Sequence, residues 1–540
     1  MPPTSSFDRR ALFRRALGVG AAGAGALLAG AALEGCGTSH PPASTTTTTT
    51  TTTTRPSSLG TPTARDWSKL AASLVGTLVL PSDSAYGVDR LLYNAKFVDP
   101  RPHAIAYCAS GGDVARCVDF ATTREIRLAA RSGGHSYAGY STCDGLVIDV
   151  SRLAGISVDT TSNVATIGAG AQLIDIYNVL GSHDRLLPGG SCPTVGIAGL
   201  AMGGGIGVFG RKYGLTLDNM REVSVVTPDA RHLRADADRH ADLWWASRGG
   251  GGGNFGVATS FAFDVHPMPE ITLFTVQYPW AAAATMLNAW QEWVVDAPDE
   301  LWSNCELLSQ GTYGFLAQVG GVYCGSPGNL SAPLARLQTS IGTAPTYNFV
   351  GSSEYLNAME IEAGCSGLTV AACHLSTQRP AGTLSREAYS AKSSYVNGPM
   401  DHPRCSTMVA AVEHLAALAP TIGGGLAFDS YGGTINRVAS DETAFVHRDK
   451  LACIQATYSW SSYTSDSVID AGATWLTWLG GQVFNPATGA YQNYIDATLD
   501  NWPQAYYGSN LDRLVKVKRK YDPENHFSFA QSIPRTLQDA

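Results

Sequence analysis

Glycine placement constrains this chain more than any other feature. Two runs carry most of it: Arg131-Ser132-Gly133-Gly134-His135-Ser136 and, with its cysteine 57 positions beyond the histidine, Gly189-Gly-Ser-Cys192-Pro-Thr194-Val195-Gly196-Ile-Ala-Gly199. Gly203-Gly204-Gly205 follows, and then Arg248-Gly-Gly-Gly-Gly-Gly-Asn254-Phe-Gly256-Val257. Without a Cβ the main chain takes positive φ freely and can approach a ligand closely, so that successive N–H groups line a pyrophosphate. Neither of the first two runs is a P-loop or a Gly-x-Gly-x-x-Gly opening a helix. One holds an imidazole in a tight turn, another a soft thiol nucleophile. Taken singly, a Gly-Gly-His turn is an ordinary surface turn, a lone cysteine a small buried hydrophobe, and the glycines at 249–253 a flexible loop.

Ser110-Gly-Gly-Asp113 ahead of Val114, Cys117, Val118 and Ala121 marks a helix capped by Ser110 or Asp113. Apolar runs at 126–130, 146–149 and 164–167 read as strands and 173–180 as a helix. That alternation implies an α/β arrangement up to about Pro267 and Pro269. From about 270 to 495 the pattern changes to strands at 272–277, 426–428 and 454–460, mixed with amphipathic helices. A last helix carries Leu511, Leu514, Val515 and Lys518 on one face, with Asn510 as its cap and a stop before Pro523.

The N-terminus reads as targeting rather than fold. Asp8-Arg9-Arg10-Ala-Leu-Phe-Arg14 resembles a twin-arginine export motif, and an uncharged apolar run at 16–33 ends in Leu33-Glu34-Gly35-Cys36, similar to a lipoprotein cleavage box. Lipidation at Cys36, plain cleavage and an uncleaved anchor are the three readings; Glu34 departs from the usual box, and the run is Gly-rich and barely long enough to span. Residues 37–65, with ten consecutive threonines from Thr45 to Thr54, cannot bury a core and read as a linker. Removing residues 1–36 takes away four Arg, one Asp and one Glu and moves the net charge from −8 to −10. An acidic chain without a basic run has no electrostatic footprint for nucleic acid. The remaining length exceeds one ordinary core, so two closely packed domains are expected.

Of eleven cysteines, setting aside Cys36 and Cys192 leaves nine, so at least one thiol stays free or pairs outside the chain. Cys365 with Cys373 and Cys305 with Cys324 are plausible short loops, although spacing does not fix connectivity. No C-x-x-C or His-x-x-x-His cluster argues for zinc.

A C-terminal block completes the pattern: Tyr506-Tyr-Gly-Ser-Asn510, Tyr521-Asp-Pro-Glu-Asn525-His-Phe527 and Gln531-Ser-Ile-Pro534. Together the blocks cover roughly residues 98 to 534 and resemble the berberine-bridge-enzyme-like branch of the vanillyl-alcohol-oxidase flavoproteins. The resemblance implies an α+β protein: a two-part PCMH-type FAD-binding domain (66–268, with a return at 496–540) and a substrate domain (269–495) whose antiparallel sheet, backed by helices, covers the flavin. It implies FAD bonded covalently through His135 and Cys192. Arg131 to Ser136 would wrap the pyrophosphate; Thr194, Gly196, Gly199 and Gly203 to Gly205 would line the flavin and ribityl chain; Asn254, Gly256 and Val257 would take the adenine side. Asn493 belongs to the same cofactor set.

The resemblance also places the chemistry. Tyr494, in Tyr491-Gln-Asn493-Tyr494-Ile-Asp496, matches the base tyrosine of oligosaccharide-oxidising members, with Asp429 as candidate partner and Gln455 as a site-lining glutamine. Plant members carry lysine two residues before that glutamine; this chain has Cys453, so activation of Tyr494 must differ. Ordinary aromatic packing is the competing reading for one of 22 tyrosines. Val195, three residues after the flavin cysteine, resembles oxidases that reduce O2 to H2O2. The expected function is an exported, lipid-anchored or secreted oxidase of a hydroxyl on a carbohydrate or glycoside. A tailoring oxidase of a polyketide or alkaloid, and a silent surface flavoprotein that binds glycan, are the alternatives. Substrate, electron acceptor and oligomeric state stay open at this point.

Overall fold

The computed structural model describes residues 62–539. The expected export segment, Cys36 and most of the expected linker lie outside the described residues. The helix Ala64–Ser73 overlaps the last expected linker residues: Thr63 caps it, accepting from Asp66 N while the Asp66 carboxylate accepts from Thr63 N at 3.0 Å.

The N-terminal part has two main sheets. In the first, Thr77–Val79, Ala104–Tyr107, Leu146–Asp149 and Leu128–Arg131 lie in that spatial order, and the last three are parallel. The helix Gly111–Thr123 links two of them. Ser110 is its cap, accepting from Asp113 N at 3.1 Å, whereas buried Asp113 accepts from the N–H groups of Val75, Gly76 and Ala109. The second sheet, Ile156–Asp159, Val164–Gly168, Val257–Asp264, Met220–Val226 and His232–Ala235, is antiparallel throughout. The α/β alternation expected as far as Pro267 is therefore confined to the first sheet. The turn at 160–163 is too short for the crossover that a parallel pair needs, so strands 156–159 and 164–168 must fold back on each other.

The second part is one seven-stranded antiparallel sheet, in the order Tyr347–Ser353, Ile271–Tyr278, Phe315–Cys324, Leu301–Gln310, Gly423–Ser430, Ala452–Trp460 and Ala388–Val396. Strand alternation splits its faces. Cys305, Leu307, Phe428, Ile454 and Ala456 pack into a core with helices Ala283–Val295, Pro327–Ile341, His402–Leu418 and Asp466–Trp478. The alternate positions Asn304, Glu306, Asp429, Gln455 and Thr457 face the N-terminal part across a cavity.

The chain then returns to the N-terminal part. Helix Leu511–Tyr521 buries Leu514, Val515 and Val517 in that part's core. Lys518, fully buried, donates to Asn254 O (2.8 Å), Asp522 Oδ2 (2.8 Å) and Phe527 O (2.6 Å), and Asn254 Oδ1 accepts from Ile533 N at 2.8 Å. Asn510 is not the side-chain cap that was expected. Its Nδ2 donates to Ser440 O and Thr443 O, tying a loop of the second part to the helix start.

The expected Cys305–Cys324 pairing is overturned by register. Cys305 lies opposite Val319, and Cys324 is five residues further along that strand, about 17 Å at 3.4 Å per residue. A disulfide needs Cα atoms within about 7 Å. Cys373 Sγ stands 3.9 Å from Cys365 O, with both residues buried. Cys108 and Cys117, which spacing did not single out, bring their sulfurs to 4.0 Å. Among the described residues no helix is long and apolar enough to cross a membrane.

Candidate active site

A cavity of about 590 Å³ lies between the seven-stranded sheet and the glycine runs. Its first wall depends on two backbones in contact. A Cβ on Gly133 would stand 2.7 Å from Thr194 O and nearer still to Gly196 N, and a Cβ on Gly196 would meet Ser132 Oγ and Gly133 N. Only glycine at both positions lets the His135 turn lie against the Cys192 loop. Gly134 takes φ +72°, which turns the chain so that His135 enters the cavity wall. Arg131, buried, is paired through Nε with Asp149 on the neighbouring strand, and Ser132 Oγ donates to Ala169 O at 2.6 Å.

His135 is held on both sides. Tyr93 stacks on its ring at 4.0 Å with 16° between planes, and His135 Nε2 is 2.8 Å from Thr194 Oγ1. Thr194, fully buried, is off the cavity wall, so it fixes the histidine instead of lining a cofactor as expected. Cys192 is exposed into the cavity, on the same wall as Val195, Gly196 and Gly199. Asn254, Gly256 and Val257 line a further stretch of the cavity.

Gly203, Gly204 and Gly205 do not line the cavity, which corrects the expectation that they line the flavin and ribityl chain. Their missing side chains make room for protein. A Cβ on Gly203 would overlap Asn493 Oδ1, one on Gly204 would stand 2.7 Å from the Tyr491 ring, and one on Gly205 would overlap Thr216 Oγ1. Tyr491 OH accepts from Gly205 N (2.8 Å) and Asn493 Nδ2 (2.9 Å), and Asn493 Nδ2 also donates to Leu200 O (3.0 Å). The glycine triplet thus docks the segment that ends in Tyr494.

Tyr494, Asp429 and Gln455 share the facing wall. Burial pushes the Tyr494 phenol well above its usual value, and the Asp429 charge pushes it the same way. Tyr494 stacks on Tyr137 at 5.2 Å and 20°, and Gln455 Nε2 donates to Tyr137 OH at 2.7 Å. Cys453, opposite Asp429 in the sheet, is buried with its thiol pushed up by burial and then by Asp429. A thiol in that state supplies no positive charge to lower Tyr494.

The arrangement fits the FAD that the sequence implies. Arg131 Nη1 and Gln531 Oε1, both on the cavity wall, are buried without a hydrogen-bond partner, and nothing lies within 4 Å of where a Cβ of Gly199 would stand. Sequence reasoning missed Tyr93, Tyr137, Asp149 and Gln378, whose Nε2 donates to Gly133 O at 3.3 Å. Only Tyr137, two residues after His135, carried a positional signal.

Two family descriptions match the chain: an FAD binding domain over residues 102–236, and berberine and berberine-like over 490–534. The FAD-linked oxidoreductase YgaK of Bacillus subtilis is 30% identical over 85% of this chain and 97% of its own length. The glucooligosaccharide oxidase of Sarocladium strictum is 29% identical over 83% of this chain and 90% of its own. Among solved structures, Physcomitrella patens BBE-like 1 aligns with a TM-score of 0.78 and 30% identity, covering 87% of this chain and 99% of that one.

Proposed function

Because this chain belongs to the berberine-bridge-like FAD-linked oxidoreductases and is an FAD-dependent oxidase of that family, we propose that it oxidises a hydroxyl-bearing carbon of a carbohydrate or glycoside, with FAD tethered through His135 and Cys192. One observation carries the reading: a single cavity has His135 and Cys192 on its wall together with Tyr494, Asp429 and Gln455 of the facing domain. The likeness to a glucooligosaccharide oxidase supports the substrate class.

Bound FAD supplies the hydride acceptor and a two-electron route to O2. The protein's share is holding and proton transfer. Arg131 and the 132–136 main chain would take the pyrophosphate, and Asn254 to Val257 the adenine side. Tyr494 must begin as a neutral phenol, given its raised pKa. It takes the proton of the substrate hydroxyl as its own proton passes to the Asp429 carboxylate, so no free phenolate is required. Gln455 and Tyr137, joined at 2.7 Å, orient the substrate beside that pair. Val195 on the cysteine wall supports O2 as the acceptor. We further propose that the N-terminal segment exports the folded enzyme by the twin-arginine route and that Cys36 anchors it to lipid.

Peroxide release over a panel of sugars, aromatic amines and alkaloids tests the substrate class. Tyr494→Phe should cut kcat by about 10²–10⁴ with flavin content retained. Unchanged turnover would remove Tyr494 as the base, and peroxide from alkaloids alone would replace the carbohydrate reading.

A further inference from the structure

Hydrogen-bond acceptors crowd the sheet side of the cavity. Asn304 and Asp429 are directly opposed on neighbouring strands, and Glu306 follows one same-face position along, opposite Ala427. Such neighbours have Cβ atoms about 5 Å apart across strands. Asn304 Nδ2 donates to Glu306 Oε1 (3.2 Å) and Gln318 Nε2 to Glu306 Oε2 (3.1 Å). The first of these bonds fixes the Asn304 amide and leaves its Oδ1 without a hydrogen-bond partner, although the residue is only 1% exposed and lies on the cavity wall. A buried carbonyl oxygen in that state calls for a donor from a ligand. Ala427 lies between Glu306 and Gln455 in the register, so its short side chain leaves that row open toward the cavity.

The charged side chains that the seven-stranded sheet presents to the cavity, Glu306 and Asp429, are both acidic. The arginines on the cavity wall, Arg127 and Arg131, belong to the first domain and are paired there with Asp144 and Asp149. A ligand reaching the sheet therefore meets Asn304 Oδ1 and the carboxylates of Glu306 and Asp429. A sugar hydroxyl brings one donor, together with lone pairs that oppose the carboxylates. A protonated amine brings three donors and no acceptor, and its bonds to carboxylate are charge-assisted. A uronate or sugar phosphate would be repelled by the same groups.

We propose that the substrate is an amino-sugar glycoside whose protonated amine is received by Asn304 Oδ1 and Glu306, beside the Asp429 carboxylate that serves Tyr494. The inference rests on the carbohydrate reading and narrows it. The test uses purified holoenzyme, at a pH where the amine is protonated, with a β-1,4 glucosamine dimer, its N-acetylated form and cellobiose. kcat/KM is read as peroxide release, and Kd by anaerobic calorimetry. The glucosamine dimer should lead both neutral dimers by about tenfold or more in each measure, the lower end for one charge-assisted hydrogen bond, with the lead shrinking as salt is added. Glu306→Gln should collapse the ratio toward one. Neutral dimers that match or exceed the glucosamine dimer in wild type would overturn this inference and leave the carbohydrate reading standing. If none of the sugars is bound or oxidised, the carbohydrate reading fails and this one with it.

Discussion

Replacing Gly133 by alanine attacks the contact on which the wall carrying His135 and Cys192 is built. The new Cβ would stand 2.7 Å from Thr194 O, and ordinary contact begins near 3.4 Å, so the His135 turn and the Cys192 loop must separate by roughly 0.7 Å or more. Both partners are backbone, with no flexible side chain to yield. Overpacking of this kind costs about 1–3 kcal/mol, equivalent to a melting shift of roughly 2–12 °C for a domain of this size. Gly196→Ala strains the same contact from the other side. Once one substitution has opened the gap the second adds little, so the double variant should lose less than the sum of the singles by about 1 kcal/mol or more. Gly155→Ala is the internal control, since its Cβ meets nothing within 4 Å and the residue lies away from the cavity. The assay is thermal unfolding followed by tyrosine fluorescence, with acid-stable flavin measured alongside. If Gly133→Ala melts within about 1 °C of wild type, or the two costs simply add, the close approach is not what holds the wall together.

Two other predictions concern parts that support the site. Lys518→Met leaves the buried Asp522 carboxylate uncompensated and should cost about 3–5 kcal/mol, measured as a drop in melting temperature and in flavin retention; a change below about 1 kcal/mol would refute the clasp between Asn254 and the C-terminal segment. His374, whose pKa burial lowers but the hydrogen bond to Asp175 raises by more, stands above its ordinary value and faces Arg379 as well. A group raised on folding stabilises below its unfolded pKa and loses that contribution as pH climbs through the folded value. The 363–387 excursion should therefore resist limited proteolysis better near about pH 5.5 than near about pH 8, and His374→Asn should abolish the difference; equal cleavage of wild type at both would contradict it.

The parts of the site that could be read in advance are those whose chemistry is local. His135, Cys192 and Tyr494 sit in short blocks where residue type and spacing carry the signal, and the strands 454–460 and 272–277 show in alternation. Tyr93 reaches His135 from 42 positions upstream with no motif of its own, and Gln378 comes from the other domain. Their positions follow from packing, which leaves no periodic trace. Glycine is ambiguous by nature. Gly199 opens onto the cavity, whereas Gly203 to Gly205 make room for Asn493, Tyr491 and Thr216, and both uses look alike along the chain. The Cys305–Cys324 expectation failed because strand register, not sequence spacing, sets the distance between residues of a hairpin.

The central claim is that His135 and Cys192 both hold the flavin. Acid precipitation of purified wild type, His135→Ala, Cys192→Ala and the double variant, followed by the absorbance spectrum of pellet and supernatant, tests it directly. Yellow colour is expected in the pellet for wild type and for each single variant, with colour released to the supernatant only by the double variant. Colour washing out of the wild type would contradict it, and the roles of His135 and Cys192 would then be limited to shaping the wall of a non-covalent site.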